Sequence, residues 1–288
     1  MADARVTEIW RYPAKSMQGE SLRNATIGGN GLAGDRGWAV RDEQRGGIRG
    51  AKKIGALMEL AARYRTEPAV DAPPPAIDIT LPDGGSVGSD GADVDARISA
   101  ALDHPVTLWP LLPPDALDHY RRGAGDTDDL DAELRAIFGR EPDEPLPDLS
   151  VFPPEIVEFE SAPGTYFDAF PLLVMTRQSL GSLQALAPDS RVDVRRFRPN
   201  IVVDVPDATE PWPELAWLGS SIQVGSVTLD VVTGCPRCVM ITRGFADLPQ
   251  DRSLMRTVVR DADQLMGAYA TVRTTGDVAV GDTVTVGE

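Results

Sequence analysis

Val227-Thr228-Leu229-Asp230-Val231-Val232-Thr233-Gly234-Cys235-Pro236-Arg237-Cys238 reads as a β-strand that runs out into a thiol-bearing segment. The run Val227 to Val232 is apolar and strand-like, and Gly234-Cys235-Pro236-Arg237-Cys238 follows straight after it. Cys238 is one of only two cysteines in 288 residues. A thiol raised on the end of a strand, with Arg237 beside it to favour the thiolate, is suited to ligating a soft metal or attacking an electrophile.

Outward from this stretch the pattern is largely β. Strands are predicted at Val6 to Tyr12, Trp38 to Arg41, Ile77 to Leu81, Val106 to Trp109, Leu172 to Met175, Ile201 to Asp204, Ile222 to Val224 and Thr228 to Val232, with a turn at Pro82-Asp83-Gly84-Gly85. Helices are predicted at Val94 to Leu102, Leu130 to Phe138, Ser179 to Ala187 with Thr176 as N-cap, and Ser253 to Leu265. The closing segments, Gly267 to Val272 and Val278 to Val286, alternate like a final β-hairpin. The fold class expected is therefore mostly β with peripheral helices (α+β), as a barrel or sandwich. From Pro110 to Pro171 the chain is rich in proline and acid, as in Asp126-Thr127-Asp128-Asp129 and Glu141-Pro142-Asp143-Glu144-Pro145, which predicts an irregular, solvated connection. The expected division is an N-terminal domain over 1–110, this connection over 111–170, and a C-terminal domain over 171–288.

Composition removes several function classes. A mass of 30.9 kDa suits two domains of about 100–150 residues each, or one large all-β domain with insertions. The 42% hydrophobic and 25% charged content is that of a globular chain with a sizeable core. A net charge of −16 repels phosphodiester backbones and anionic lipid, so neither a nucleic-acid partner nor a membrane partner is expected. No stretch approaches the roughly 20 apolar residues of a membrane-spanning helix, and Met1-Ala2-Asp3-Ala4-Arg5 lacks the apolar core of a signal peptide. A cytoplasmic location is the expectation. The acidic runs lack the regular ligand pattern of a calcium loop and read as solvated segments.

Two cysteines two residues apart cannot staple a secreted domain, and a zinc ribbon needs a second pair of ligands. The two histidines, His104 and His119, are far from Cys238 in sequence, so neither a Cys/His protease, a Ser/His/Asp hydrolase nor a His-based metal centre is expected. Taken alone, Cys235 and Cys238 leave open a redox dithiol or two inert buried thiols. Cys235, on the opposite side of an extended run from Cys238, is expected to be structural.

An anionic ligand of so acidic a chain needs local cations. Lys15, in Tyr12-Pro13-Ala14-Lys15-Ser16, is followed by the Ser16 hydroxyl at a strand end; this suits a phosphate, and an ordinary surface lysine is the bland alternative. Arg36 lies between glycines in Gly31-Leu32-Ala33-Gly34-Asp35-Arg36-Gly37-Trp38, where backbone can approach a ligand and Asp35 can orient the guanidinium; a turn with an ion pair fits equally. Arg195-Arg196-Phe197-Arg198-Pro199-Asn200 packs three arginines at the entrance of a strand, a concentration of charge that wants an anion.

These segments, with Cys235-Pro236-Arg237-Cys238, Gly267-Ala268-Tyr269-Ala270-Thr271-Val272 and the closing Val280-Gly281-Asp282-Thr283-Val284, occur in the order seen in MOSC-domain proteins, the family containing the C-terminal domain of molybdenum cofactor sulfurases. The chain resembles that family over nearly its whole length, least from about Pro113 to Pro171. By this resemblance it looks like the mitochondrial amidoxime-reducing component and bacterial hydroxylaminopurine-reducing proteins. Three departures stand out: Pro236 where relatives often have serine, no second threonine in Val239-Met240-Ile241-Thr242, and no Asp-Pro turn between Gly244 and Asp251.

The resemblance implies a MOSC-type β-barrel with an N-terminal β-barrel-like domain, and a molybdenum cofactor (Mo-molybdopterin) held between the two halves. Cys238 matches the molybdenum ligand and catalytic centre. Lys15, Ser16 and Arg36 match the grip on the terminal phosphate, Arg198 and Asn200 match pterin-contacting positions, and Thr176, Ser179 and Arg237 complete the expected cofactor contacts. The implied function is reduction of small N-hydroxylated substrates such as amidoximes and hydroxylamines, with electrons from a separate redox protein, since no cysteine cluster for an iron–sulfur centre is present. No pyridoxal phosphate site is expected. The alternatives are a sulfur carrier with a persulfide on Cys238 or Cys235, or a protein that stores or delivers molybdopterin.

Overall fold

The computed structural model describes residues 3–152, 155 and 158–287. Met1 and Ala2, part of the segment from which the absence of a leader was read, lie outside them. Among the described residues the chain is mostly β, with six α-helices and a closed seven-stranded barrel. No helix among them is long and apolar enough to cross a membrane.

The chain forms two compact units. The first takes residues up to 11, 21–33 and everything from 170 onward; the second takes 12–20 and 34–169. In the first unit the barrel runs in the order Ile201–Asp204, Leu172–Thr176, Leu265–Thr274, Val227–Pro236, Ser221–Val224, Thr283–Val286 and Ala4–Arg11. Ala4–Arg11 then pairs back onto Ile201–Asp204, Ile9 facing Ile201 and Arg5 facing Asp204, so no edge of this ring is left bare. Alternate side chains fill the interior: Val227, Leu229 and Val231 from one strand, Leu172 and Val174 from another, Ile201 and Val203, Ile222 and Val224, Ala268 and Ala270. Each fully buried Val, Ile or Leu contributes about 1.5–3 kcal/mol. The opposite face of Leu172–Thr176 presents Leu173 and Met175 to a second core, built with Leu183 of the helix Arg177–Leu186 and Leu254, Met255 and Val258 of the helix Ser253–Asp261. The period of two in this strand therefore feeds two cores at once.

The expected final hairpin is not formed. Leu265–Thr274 pairs with Val227–Pro236 and Leu172–Thr176, whereas Gly276–Ala279 turns away to pair with Asn24–Gly28 and Thr283–Val286 joins Ser221–Val224. Both edges of Leu265–Thr274 are already occupied in the barrel, which leaves nothing for a hairpin partner to bond. The helix expected to reach Leu265 stops at Asp261, because Asp263 and Gln264 adopt φ of 45° and 69° and deliver the chain into the next strand.

The second unit holds two three-stranded sheets. Trp38–Asp42 lies between Ile48–Arg49 and Val106–Pro110, and Ile77–Thr80 lies between Ala61–Tyr64 and Ser86–Gly88 across the predicted Pro82-Asp83-Gly84-Gly85 turn. The stretch expected as a solvated connection is more than that. It carries the helices Leu117–Tyr120 and Leu130–Phe138 and sends Tyr120, Phe159 and Tyr166 into a core with Ala39 and Ile48. Its composition hides this, since three aromatic anchors are diluted among prolines and acids.

Candidate functional site

Cys238 follows the end of Val227–Pro236, whose pairing with Leu265–Thr274 slips between Val231 and Thr233 and again between Gly234 and Pro236. Such irregularities re-aim side chains. Gly234, Cys235 and Pro236 are all buried, the strand ends, and Cys238 caps a short 3-10 turn, Val239–Thr242, as a half-buried thiol. Cys235 sits in the helix-facing core, and burial pushes its thiol pKa up against the pull of Arg237.

Arg237 feels the neighbouring Cys238, but its hydrogen bonds are made elsewhere. Its guanidinium turns to the core side, where Nη1 donates to Cys235 Sγ at 3.0 Å, Nη2 donates to the Phe197 carbonyl at 2.7 Å, and the group stacks 5.3 Å over the Phe197 ring. The alternation of an extended segment puts neighbouring side chains on opposite sides. A second cation feels the Cys238 charge: half-buried Arg243, one residue past the 3-10 turn, is pushed down by burial and pulled back up by Cys238. Sequence reading missed it because the turn, not the spacing, brings it round.

The three clustered arginines have three different fates. Arg195 pairs with Asp193 and Asp247 at the surface. Arg196 is 0% exposed and spends its guanidinium on four main-chain carbonyls, those of Arg191, Ile241, Arg243 and Pro249 at 2.7–3.2 Å. It thereby pins the segment that follows Cys238. Arg198 closes the short helix Val194–Phe197 in the left-handed region, at φ 59°. Ser16 and Arg36 share that conformation, at φ 69° and 51°. Non-glycine residues there store about 1–3 kcal/mol and cluster at functional sites. Three of the eight such residues described are thus residues expected to contact an anion.

Asn200, Thr176 and Ser179 are committed to the fold. Asn200 Oδ1 accepts from the Leu173 amide at 3.1 Å and its Nδ2 donates to the Trp10 carbonyl at 3.3 Å, tying two barrel strands together. Thr176 N-caps the helix Arg177–Leu186, as expected, by accepting from the Ser179 amide. Both hydroxyls then donate to the carboxylate of Glu214, Thr176 at 2.6 Å, and the Gly267 amide reaches its other oxygen at 3.1 Å. Glu214 is fully buried, and burial pushes its pKa up despite these donors. Nothing in its local sequence marks it, because all three partners come from other elements.

In the second unit, Lys15 is a buried ammonium rather than a surface one. Nζ donates to Asp168 Oδ1 at 2.7 Å, the Tyr166 carbonyl at 2.8 Å and Ser161 Oγ at 3.2 Å. Ser16 Oγ accepts from the Ala51 amide at 2.8 Å; a Cβ at Gly50 would come within 2.7 Å of that oxygen, so the close approach needs glycine. Arg36 is paired with Asp35 and stacks over Tyr12 and Phe167 at 5.3 and 6.0 Å, while Asp35 also accepts from the Tyr12 amide.

Each unit carries donors of a kind that fits a molybdopterin: the first a half-buried thiol suited to a soft metal, the second buried or half-buried cations suited to an anion in a chain whose net charge is −16. Among the described residues no group of three or more His, Cys, Asp or Glu side chains could hold a metal without such a cofactor.

Residues 3–109 match the MOSC N-terminal beta barrel domain and residues 162–285 match the MOSC domain. The chain is a MOSC-domain protein. Over 307 aligned residues this MOSC-domain protein is 27% identical to the mitochondrial amidoxime reducing component 2 of Homo sapiens, covering 97% of this chain and 82% of that one. Against the mitochondrial amidoxime-reducing component 1 of Mus musculus it is 24% identical, covering 97% and 81%. Against component 1 of Danio rerio identity rises to 34%, but over only 41% of this chain and 38% of that one.

Proposed function

We propose that this MOSC-domain protein is a cytoplasmic, molybdenum-cofactor-dependent oxidoreductase that reduces small N-hydroxylated compounds, taking electrons from a separate redox protein. The observation that carries the reading is the division of labour between the two cysteines. Cys235 is buried, its thiol pKa pushed up by burial, and its sulfur accepts from Arg237, whereas Cys238 stands half-buried just past a strand end. Such a site presents one thiolate to a soft metal and keeps the other thiol out of the chemistry. Family membership and relatives named for amidoxime reduction support the same reading.

In this reading Cys238 is the protein ligand of molybdenum. Lys15, Ser16 and Arg36 hold the anionic end of the cofactor, and Arg198 contacts the pterin from its strained backbone position. Arg237, Asn200, Thr176 and Ser179 act as positioning residues: they fix the strands and the helix that carry the contacting groups. The bound cofactor supplies the two-electron redox chemistry that cleavage of an N–O bond requires. Arg196, through the Ile241 and Arg243 carbonyls, keeps the segment between Cys238 and Arg243 rigid.

The test is molybdenum content by elemental analysis of protein from a cofactor-producing host, with the Cys238→Ala variant alongside. Near-stoichiometric metal in the wild type, lost in the variant, together with reduction of a hydroxylamine by the wild type under an artificial donor, is the expected result. No molybdenum in either protein, with cyanide-labile sulfur on a cysteine, would instead make it a sulfur carrier.

A further inference from the structure

Two other cations of the second unit each take two carboxylates: Arg49 those of Asp42 and Asp126, Lys53 those of Asp126 and Glu133. Lys15 and Lys52 are arranged differently, because they converge on a single carboxylate. Lys15 Nζ lies 2.7 Å from Asp168 Oδ1 and Lys52 Nζ lies 3.0 Å from Asp168 Oδ2, so each oxygen of one side chain faces its own ammonium. The field of Glu160 also reaches Lys15, but that carboxylate is paired with Arg122.

Burial is uneven across the cluster. The Lys15 side chain is 5% exposed, while Asp168 keeps 40% of its side-chain surface open. The carboxylate thus sits at the mouth of a buried lysine, within an irregular stretch that also supplies Ser161 Oγ and the Tyr166 carbonyl. A carboxylate and a phosphate monoester present a pair of oxygens at nearly the same separation, and the phosphate adds a second negative charge and a third oxygen.

We propose that Lys15 and Lys52, with Ser161, form a receiving site for a phosphate monoester, and that Asp168 is a built-in anion occupying the site until the phosphate displaces it. This deepens the reading above, in which Lys15 and Ser16 take the phosphate end of the ligand, by adding Lys52 as a second cationic contact and Asp168 as a competitor that sets how strongly a phosphate must bind. A monoanion gains little over Asp168; a dianionic terminal phosphate gains the second charge, so the competition selects for it.

The experiment is thermal unfolding against inorganic phosphate, with chloride at matched ionic strength as control, on full-length protein from a host that makes no molybdopterin. Asp168→Asn leaves two ammonium groups facing a neutral amide, so its midpoint in chloride falls below that of the wild type, and phosphate restores it with a half-saturating concentration at least about tenfold lower than for the wild type. Lys52→Gln, which keeps the Lys15–Asp168 pair and the fold, weakens the phosphate response of the wild type by about tenfold. Equal phosphate dependence of wild type and Asp168→Asn overturns the competitor role, and an unchanged response in Lys52→Gln overturns the second contact; the latter stands as a test even if Asp168→Asn does not fold. Because neither arm uses molybdenum, failure of the metal reading leaves these results readable. A parallel preparation of Asp168→Asn from a cofactor-producing host, scored for pterin fluorescence after oxidation, distinguishes a cofactor phosphate, which raises pterin retention, from another phosphate ester, which does not.

Discussion

At the scale of single residues, the two cysteines are expected to give opposite results. Cys235→Ala removes a buried side chain and the sulfur that accepts from Arg237, and is predicted to lower stability by about 1–2 kcal/mol while molybdenum stays bound, read by thermal unfolding and elemental analysis on the same sample. Cys238→Ala is predicted to leave the midpoint within about 0.5 kcal/mol of wild type and to lose the metal. The left-handed arginine supplies a second residue-level test. Arg198→Gly relieves a backbone strain of about 1 kcal/mol, so stability holds or rises while cofactor content falls. A loss of both would mean that the side chain is there for the fold. Of the candidate residues, those with rare identities stood out in the sequence: one of two cysteines, a lysine in a chain with three of them, an arginine among glycines. Their partners were not, since Glu214, Arg243, Lys52 and Asp168 look like ordinary members of a charged sequence.

At the scale of elements, Arg196 and Glu214 are buried charges that hold segments together. Arg196→Met keeps the bulk of the side chain but leaves the carbonyls of Ile241, Arg243 and Pro249 without their donor, and is predicted to cost about 3–5 kcal/mol and to loosen the segment after Cys238 first. Hydrogen exchange, with early loss of protection over 239–251, is the measurement. Glu214 makes a pH prediction. Its carboxyl holds a proton more tightly in the folded protein than at the ordinary value of 4.5, because burial outweighs the hydrogen bonds from Ser179, Thr176 and Gly267. The stability tied to that proton is complete below pH 4.5 and is lost as pH rises through the raised folded value. Wild type should therefore lose stability relative to Glu214→Gln as pH rises above 4.5, in urea unfolding run as a pH series; parallel curves would show that the carboxyl titrates normally. Most elements were legible because their periodicity is local: the helices Val94–Leu102 and Leu130–Phe138 fall where predicted. The two- and three-residue strands, such as Gly31–Leu32 and Ile48–Arg49, are too short to show any period.

At the scale of the whole molecule, the first strand decides whether the barrel closes. Ala4–Arg11 pairs with both Thr283–Val286 and Ile201–Asp204, so a fragment of residues 162–287 opens the ring and bares two strand edges. Such a fragment is predicted to aggregate or to unfold without a cooperative transition by circular dichroism; a sharp two-state melt would show that the closing strand is dispensable. The amino-acid sequence by itself determined that the chain is mostly β, that it carries a thiol at the end of a strand, and that lysine or arginine stands in three short polar segments beside strands. These properties are written in short windows, as alternation, turn residues and rare residue types. Only the tertiary structure decided which cation meets which anion. Lys15 and Asp168 are 153 residues apart and Thr176 and Glu214 are 38 apart, and a hydrogen-bonding partner at such a separation is set by where the backbone brings two side chains, which no local pattern of residues encodes.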